Sequence, residues 1–129
     1  MGFLKGWTPQ ILSIFRIMFA LLFLEHATAK LFHFPHVAAF DAVTPTSFFG
    51  IAGIIELVGG LLLAFGLFSE IAAFILSGEM AVAYFMVHAP QSFFPLVNMG
   101  EGAILYCFAF LYLAAAGPGP WSVDALRKK

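Results

Sequence analysis

Residues 77–106 read SGEMAVAYFMVHAPQSFFPLVNMGEGAILY. Two apolar runs meet there across a proline-containing loop. Glu79 stands inside the first run, His88 closes it, and Asn98 and Glu101 open the second. A carboxylate in the middle of an apolar helix costs about 2.5–3.5 kcal/mol on membrane-insertion scales. A chain keeps such a group when it is paired, faces other helices, or has a function. Working outward from this stretch, the candidate partners are Arg16, His26 and Lys30 before it and Glu56 between.

The composition places the whole chain in a membrane. Of 129 residues, 62% are hydrophobic and 10% charged, against about 25% charged in soluble domains. The mean hydropathy is +0.98. The 17 phenylalanines suit lipid-facing and interfacial positions. A net charge of −1 with six basic residues offers no stripe for nucleic acid, and none is expected as a partner. Cys107 is the single cysteine. It excludes an internal disulfide, a CxxC pair and a CxxCH haem attachment, and reads as a packing residue. The chain therefore shows no redox centre of its own. Lys5 before an apolar run and Ala27-Thr28-Ala29 imitate a signal peptide, but Arg16, Glu25 and His26 interrupt the apolar core, so the first helix is expected to be retained.

The pattern predicts an all-α fold, an integral membrane four-helix bundle in one domain over residues 1–129, with spans at about 9–32, 46–66, 69–88 and 98–116. Thr8 reads as the N-cap of the first span with Pro9 in its first turn, and Phe34-Pro35 ends it. In the second, Gly53, Glu56 and Gly60 share one face, so Glu56 is expected on a packing face, and Gly66 stops the helix. Ser69 reads as the cap of the third, and Pro90 ends it. Asn98 and Glu101 resemble a capping box for the fourth, which Gly117-Pro118-Gly119-Pro120 terminates. Each span of about 20 residues crosses a ~30 Å core. Lys5 and the Arg127-Lys128-Lys129 tail place both termini in the cytoplasm, and the loops at 33–45 and 90–97 carry no Lys or Arg. The expected location is the cytoplasmic (inner) membrane, with the lipid bilayer as the first partner.

This topology gathers His26, Lys30, His88, Asn98 and Glu101 in the outer third of the bundle, with Glu79 below them. His26 and Lys30 share a face at i, i+4, and Met80, Tyr84 and His88 form another stripe. Glu79 and His88, nine residues apart, fall on opposite sides of an ideal helix, so a common target requires a bend. Arg16 and Glu56 are expected as a structural interhelical ion pair; the alternatives pair Arg16 with Glu79, or Lys30 with a carboxylate. His33, His36 and Asp41 read as a polar loop, and no metal is expected.

The chain resembles the DoxX family of small four-span membrane proteins. The segments that carry the likeness are Arg16 with FALLFLEHATAKLFHFP (19–35), GIIELVGGLLLAFGLF (53–68), SGEMAVAYFMVHAP (77–90) and FFPLVNMGEGAILYCFAFLYLAAAGPGPWSVD (93–124). Ala27 and His33 depart from positions where that family commonly has glycine. The resemblance implies association with membrane oxidoreductase systems, and with it a quinone as cofactor or ligand. On that reading His26 and Lys30 polarise the quinone carbonyls, His88 and Asn98 complete the ligand-binding set, and Glu79 and Glu101 are the catalytic groups that supply protons. Electrons must then come from a redox partner protein. Two other classes fit the same residues. One is a carrier or binding protein for a small lipophilic or anionic molecule, which four helices serve best as a homo-oligomer. The other is a non-catalytic scaffold that docks partners through residues 118–129.

Overall fold

The structure, a computed structural model, describes residues 1–128. Lys129, counted above in the basic tail, lies outside the described residues. The fold is all-helical, with no strand among the described residues. A short α1 (Gly2–Lys5) leads into α2 (Thr8–Phe32), and a loop with one 3₁₀ turn (Ala38–Phe40) leads to α3 (Phe48–Phe65). Next comes α4 (Ser69–Ala83), which runs on through a π turn (Tyr84–His88) and a 3₁₀ turn (Ala89–Gln91). The short α5 (Pro95–Asn98), α6 (Glu101–Ala116) and α7 (Val123–Arg127) follow. Three helices, α2, α3 and α4 with its extension, are long and apolar enough to cross a membrane; α6, with 16 residues, is apolar but shorter.

Pairing of α2 with α3 and of α4 with α6 builds the bundle, and α3 against α4 joins the halves. The core contains Ala20, Phe23, Leu63, Ala73, Leu76, Phe110 and Leu113, all buried. Close approach depends on small residues. A Cβ at Gly60 would stand 2.7 Å from the Leu24 side chain, and one at Gly59 2.9 Å from Leu76. The opposite faces expose Ile14, Met18, Leu21, Ile54, Ile75, Phe85 and Phe108. So broad an apolar surface suits acyl chains and not water.

The helix ends show where sequence signals were misread. Thr8 is the first residue of α2, not its cap, and its hydroxyl donates to the Lys5 carbonyl at 2.8 Å. Ser69 likewise lies inside α4; the cap there comes from afar, as the Asp124 carboxylate accepts from the Phe68 and Ser69 N–H groups, both at 2.9 Å. Asn98 and Glu101 form no capping box. Asn98 ends α5, Met99 turns left-handed (φ +62°), and α6 begins at Glu101 behind Gly100. Gly66 does stop α3 in the left-handed conformation (φ +73°).

Past α6 the chain folds back across the end of the bundle that holds both termini. Arg16, 1% exposed, donates to the carbonyls of Pro118 and Trp121, the latter at 2.8 Å. Ser13 accepts from the Trp121 N–H at 3.0 Å, and the Asp124 N–H donates to the Gly66 carbonyl at 2.8 Å. The other end of the bundle, the loop end, carries the 33–47 and 92–100 loops.

Candidate functional site

A cavity of about 360 Å³ opens at the loop end, between α2, α3, the π turn and α6. Its walls are apolar and aromatic, from Phe23, Phe40, Phe49, Met80 and Tyr106. Its polar groups are His26 and Lys30 from α2, Glu56 from α3 and His88 from the π turn. The Phe23, His26, Lys30 spacing (i, i+3, i+7) presents all three from one face of α2. Gly102 and Ala103 line the α6 side, where a larger residue would narrow the space.

Lys30 and Glu56 form the polar floor. The Lys30 ammonium donates to both carboxylate oxygens, at 2.8 and 2.9 Å, and Glu56 is 1% exposed. The ammonium also sits 5.7 Å from the centre of the Phe40 ring, which holds the first loop over the cavity. This corrects the expected Arg16–Glu56 pair: Glu56 is paired with Lys30, and Arg16 is spent on the C-terminal carbonyls at the opposite end. Helical side chains lean toward their own N-terminus. Lys30 therefore leans inward from the loop end of α2, and Glu56 leans outward from α3, so the two meet. Arg16 leans further away from both. Glu79 lies beside Glu56 and within the field of Lys30. Its Oε1 is buried and has no hydrogen-bond partner among the described residues.

His88 is delivered by the π turn. The wider winding changes the rotation between Glu79 and His88, so that His88 lines the cavity while Glu79 lies beside Glu56 without lining it. Such turns recur at functional sites. The His88 Nδ1 lies 3.0 Å from the Asn98 carbonyl oxygen, and its ring stacks on Tyr84 with centroids 6.4 Å apart. Asn98 does not reach the cavity. It is buried, with Nδ2 donating to the Ser92 carbonyl (3.0 Å) and the Tyr84 hydroxyl (3.2 Å) and Oδ1 accepting from the Gly100 N–H (2.8 Å). It is thus a loop-fixing residue, where the sequence pointed to a ligand contact. Glu101 is exposed on the first turn of α6 and does not line the cavity.

His26 stays exposed at the rim and sets its ring edge-on to Tyr106 at 5.6 Å. Tyr106 is the wall residue that sequence reasoning missed; its signal was the one-turn spacing from Gly102. In the first loop, His36 and Asp41 pair at 2.7 Å in solvent, and no cluster of three metal-ligating side chains occurs among the described residues. Cys107 is half-buried, 3.6 Å from the Ser77 hydroxyl, which donates to the Cys107 carbonyl and ties α4 to α6.

The comparisons with known proteins agree with this architecture. The DoxX family model matches residues 11–89, which covers α2, α3 and α4 up to the π turn's far side. The chain belongs to the DoxX family. An uncharacterized protein of Haemophilus influenzae is 41% identical over 128 residues, covering 96% of this chain and 96% of its own length. No solved structure matches. The family match takes in His26, Lys30, Glu56, Glu79 and His88, whereas Tyr106 on the α6 wall lies beyond its bounds. As a DoxX protein with apolar helices of membrane-crossing length, the chain is an integral membrane protein in contact with lipid.

Proposed function

We propose that this DoxX protein is a quinone-interacting subunit or partner of a membrane oxidoreductase system. The observation that carries the reading is the loop-end cavity, apolar and aromatic along its walls and ending on His26, Lys30, Glu56 and His88. A quinone head group needs flat apolar walls for its ring and polar groups for its two oxygens, which is the usual make-up of a small-molecule site. Reduction to the hydroquinone takes two electrons and two protons. A partner redox protein supplies the electrons. Of the two expected proton donors, the proposal keeps Glu79: it lies beside Glu56, a carboxylate that lines the cavity, whereas Glu101 is exposed outside.

The same reading sets the orientation. Lys5, Arg127 and Lys128 all lie at the end that holds the termini, and the loop-end segments carry no Lys or Arg. Both termini then face the cytoplasm and the cavity opens in the outer half of the cytoplasmic membrane.

The test is solvent extraction of the gently purified protein followed by mass spectrometry, together with quinone-dependent turnover of the assembled system. The reading expects a bound quinone, in either redox form, in stoichiometric amount. It also expects turnover to fall when His26, Lys30 or Glu79 is replaced singly. Turnover unchanged in all three variants overturns it.

A further inference from the structure

The hydrogen-bond chain behind His88 bears on which redox form the cavity holds. A carbonyl oxygen only accepts, so the His88 nitrogen 3.0 Å from the Asn98 carbonyl, Nδ1, must carry the proton. In the neutral ring that leaves Nε2 as a bare acceptor. Nε2 has no partner among the described residues, and the ring lines the cavity. The arrangement is built and not incidental. The Asn98 backbone is held by its own side chain, which is buried and engages Gly100, Ser92 and Tyr84 at 2.8–3.2 Å. Tyr84 in turn stacks on His88 from within the π turn. A Cβ at Gly100 would come within 2.6 Å of the Tyr84 ring and 2.7 Å of Asn98 Oδ1, so this cluster is packed to contact.

Among the described residues, the one carboxylate that lines the cavity is already engaged. Both Glu56 oxygens already receive the Lys30 ammonium. A quinone presents only carbonyl acceptors, which Nε2 repels; a hydroquinone presents an O–H that Nε2 can accept. We infer that the cavity selects the hydroxylated form of an aromatic ring, a hydroquinone, with its O–H donated to His88 Nε2, and that Asn98 is the positioning residue that fixes the required tautomer. The inference rests on the quinone-linked reading of the site and adds to it which redox form is held and by which atom. The protein on this view retains the product of a quinone reduction, or receives the substrate of a hydroquinone oxidation.

Two measurements on the detergent-solubilised full chain test it. The first is ¹⁵N NMR of protein labelled at histidine. It expects Nδ1 protonated and Nε2 bare for His88 in the ligand-free protein, and loss of that single tautomer in Asn98→Ala. A His88 with Nε2 protonated in the wild type overturns the proposal without need of any variant. The second compares binding of a short-chain alkyl hydroquinone, its quinone and its dimethyl ether. The hydroquinone is expected to bind about tenfold tighter than the ether, the scale of one hydrogen bond at a desolvated site. The gap should close in His88→Phe and persist in His88→Gln, whose amide oxygen can still accept. Equal affinity for all three ligands overturns this inference and leaves the quinone reading standing. Binding of none overturns both.

Discussion

At the cavity floor one ammonium serves one buried carboxylate, with a second carboxylate alongside. Removing either member of a buried pair leaves an uncompensated charge and costs about 3–5 kcal/mol, while replacing both by apolar side chains of similar volume is often neutral. Lys30→Met and Glu56→Leu are therefore each expected to destabilise the bundle strongly, and the double variant far less than their sum. Unfolding in mixed detergent–denaturant micelles measures this, and additive losses would show that the pair is not coupled. Asp124 is a second residue whose worth is set by what it accepts. Burial alone would raise its pKa, but the Ser69 and Phe68 N–H groups, aided by Arg127, hold it below the ordinary carboxylate value. A carboxyl lowered on folding adds stability above its unfolded value, and that contribution fades as pH falls through the lowered one. Asp124→Ala should cost about 1 kcal/mol at neutral pH, the usual scale of a lost cap. The deficit should vanish at acid pH, as followed by thermal melts across pH.

Among the elements, the π turn and the glycine-lined α3 do the positioning. Deleting Phe85 from the turn should restore α-helical winding and rotate His88 by about 100° relative to α4. The expected result is a folded protein with normal helicity by circular dichroism and no ligand binding at the loop end. Retained binding would show that the turn is not what aims His88. On α3, Gly60→Leu forces bulk against Leu24 at a point where even a Cβ is too close. It should cost about 1–3 kcal/mol through overpacking, whereas substitution at Gly78, with nothing within 4 Å, should be nearly neutral. The packing role of Gly53, Glu56 and Gly60 was legible from their spacing, since helical period alone sets which side chains share a face. The π turn was not legible. Only the mismatch between Glu79 and His88 hinted that a bend was needed, because local sequence rarely favours a π turn and packing has to impose it.

Over the whole molecule, the C-terminal segment closes one end and the cavity opens the other. Truncation before Pro118 removes both carbonyls that hold the buried Arg16 guanidinium. The truncated chain is expected to lose several kcal/mol, the cost of a buried charge without partners, and Arg16→Leu should recover most of the loss. A truncation that Arg16→Leu does not rescue would assign the strap's contribution to Asp124 and the α4 cap instead. This segment also shows how far the site itself could be read beforehand. The sequence put His26, Lys30 and His88 at one depth, and all three line one cavity. It misassigned Arg16, because a carboxylate on the packing face of another helix says nothing of a chain that folds back from 102 residues away.

The sequence by itself determined that this protein is an all-α membrane protein of the DoxX family. Apolar length, proline and glycine stops and the family motifs are all local, additive signals, and hydropathy leaves lipid as the only solvent for them. Tertiary structure alone decided the partners of the charged groups: Lys30 for Glu56, two carbonyls for Arg16, Asp124 for the α4 terminus, and the Asn98 carbonyl for His88. Each of these depends on side-chain direction and on where the packed backbone brings another segment, from ten residues away for His88 to more than a hundred for Arg16. In a medium that offers no water to buried polar groups, the winning partner is whichever one the packed fold brings within hydrogen-bond reach.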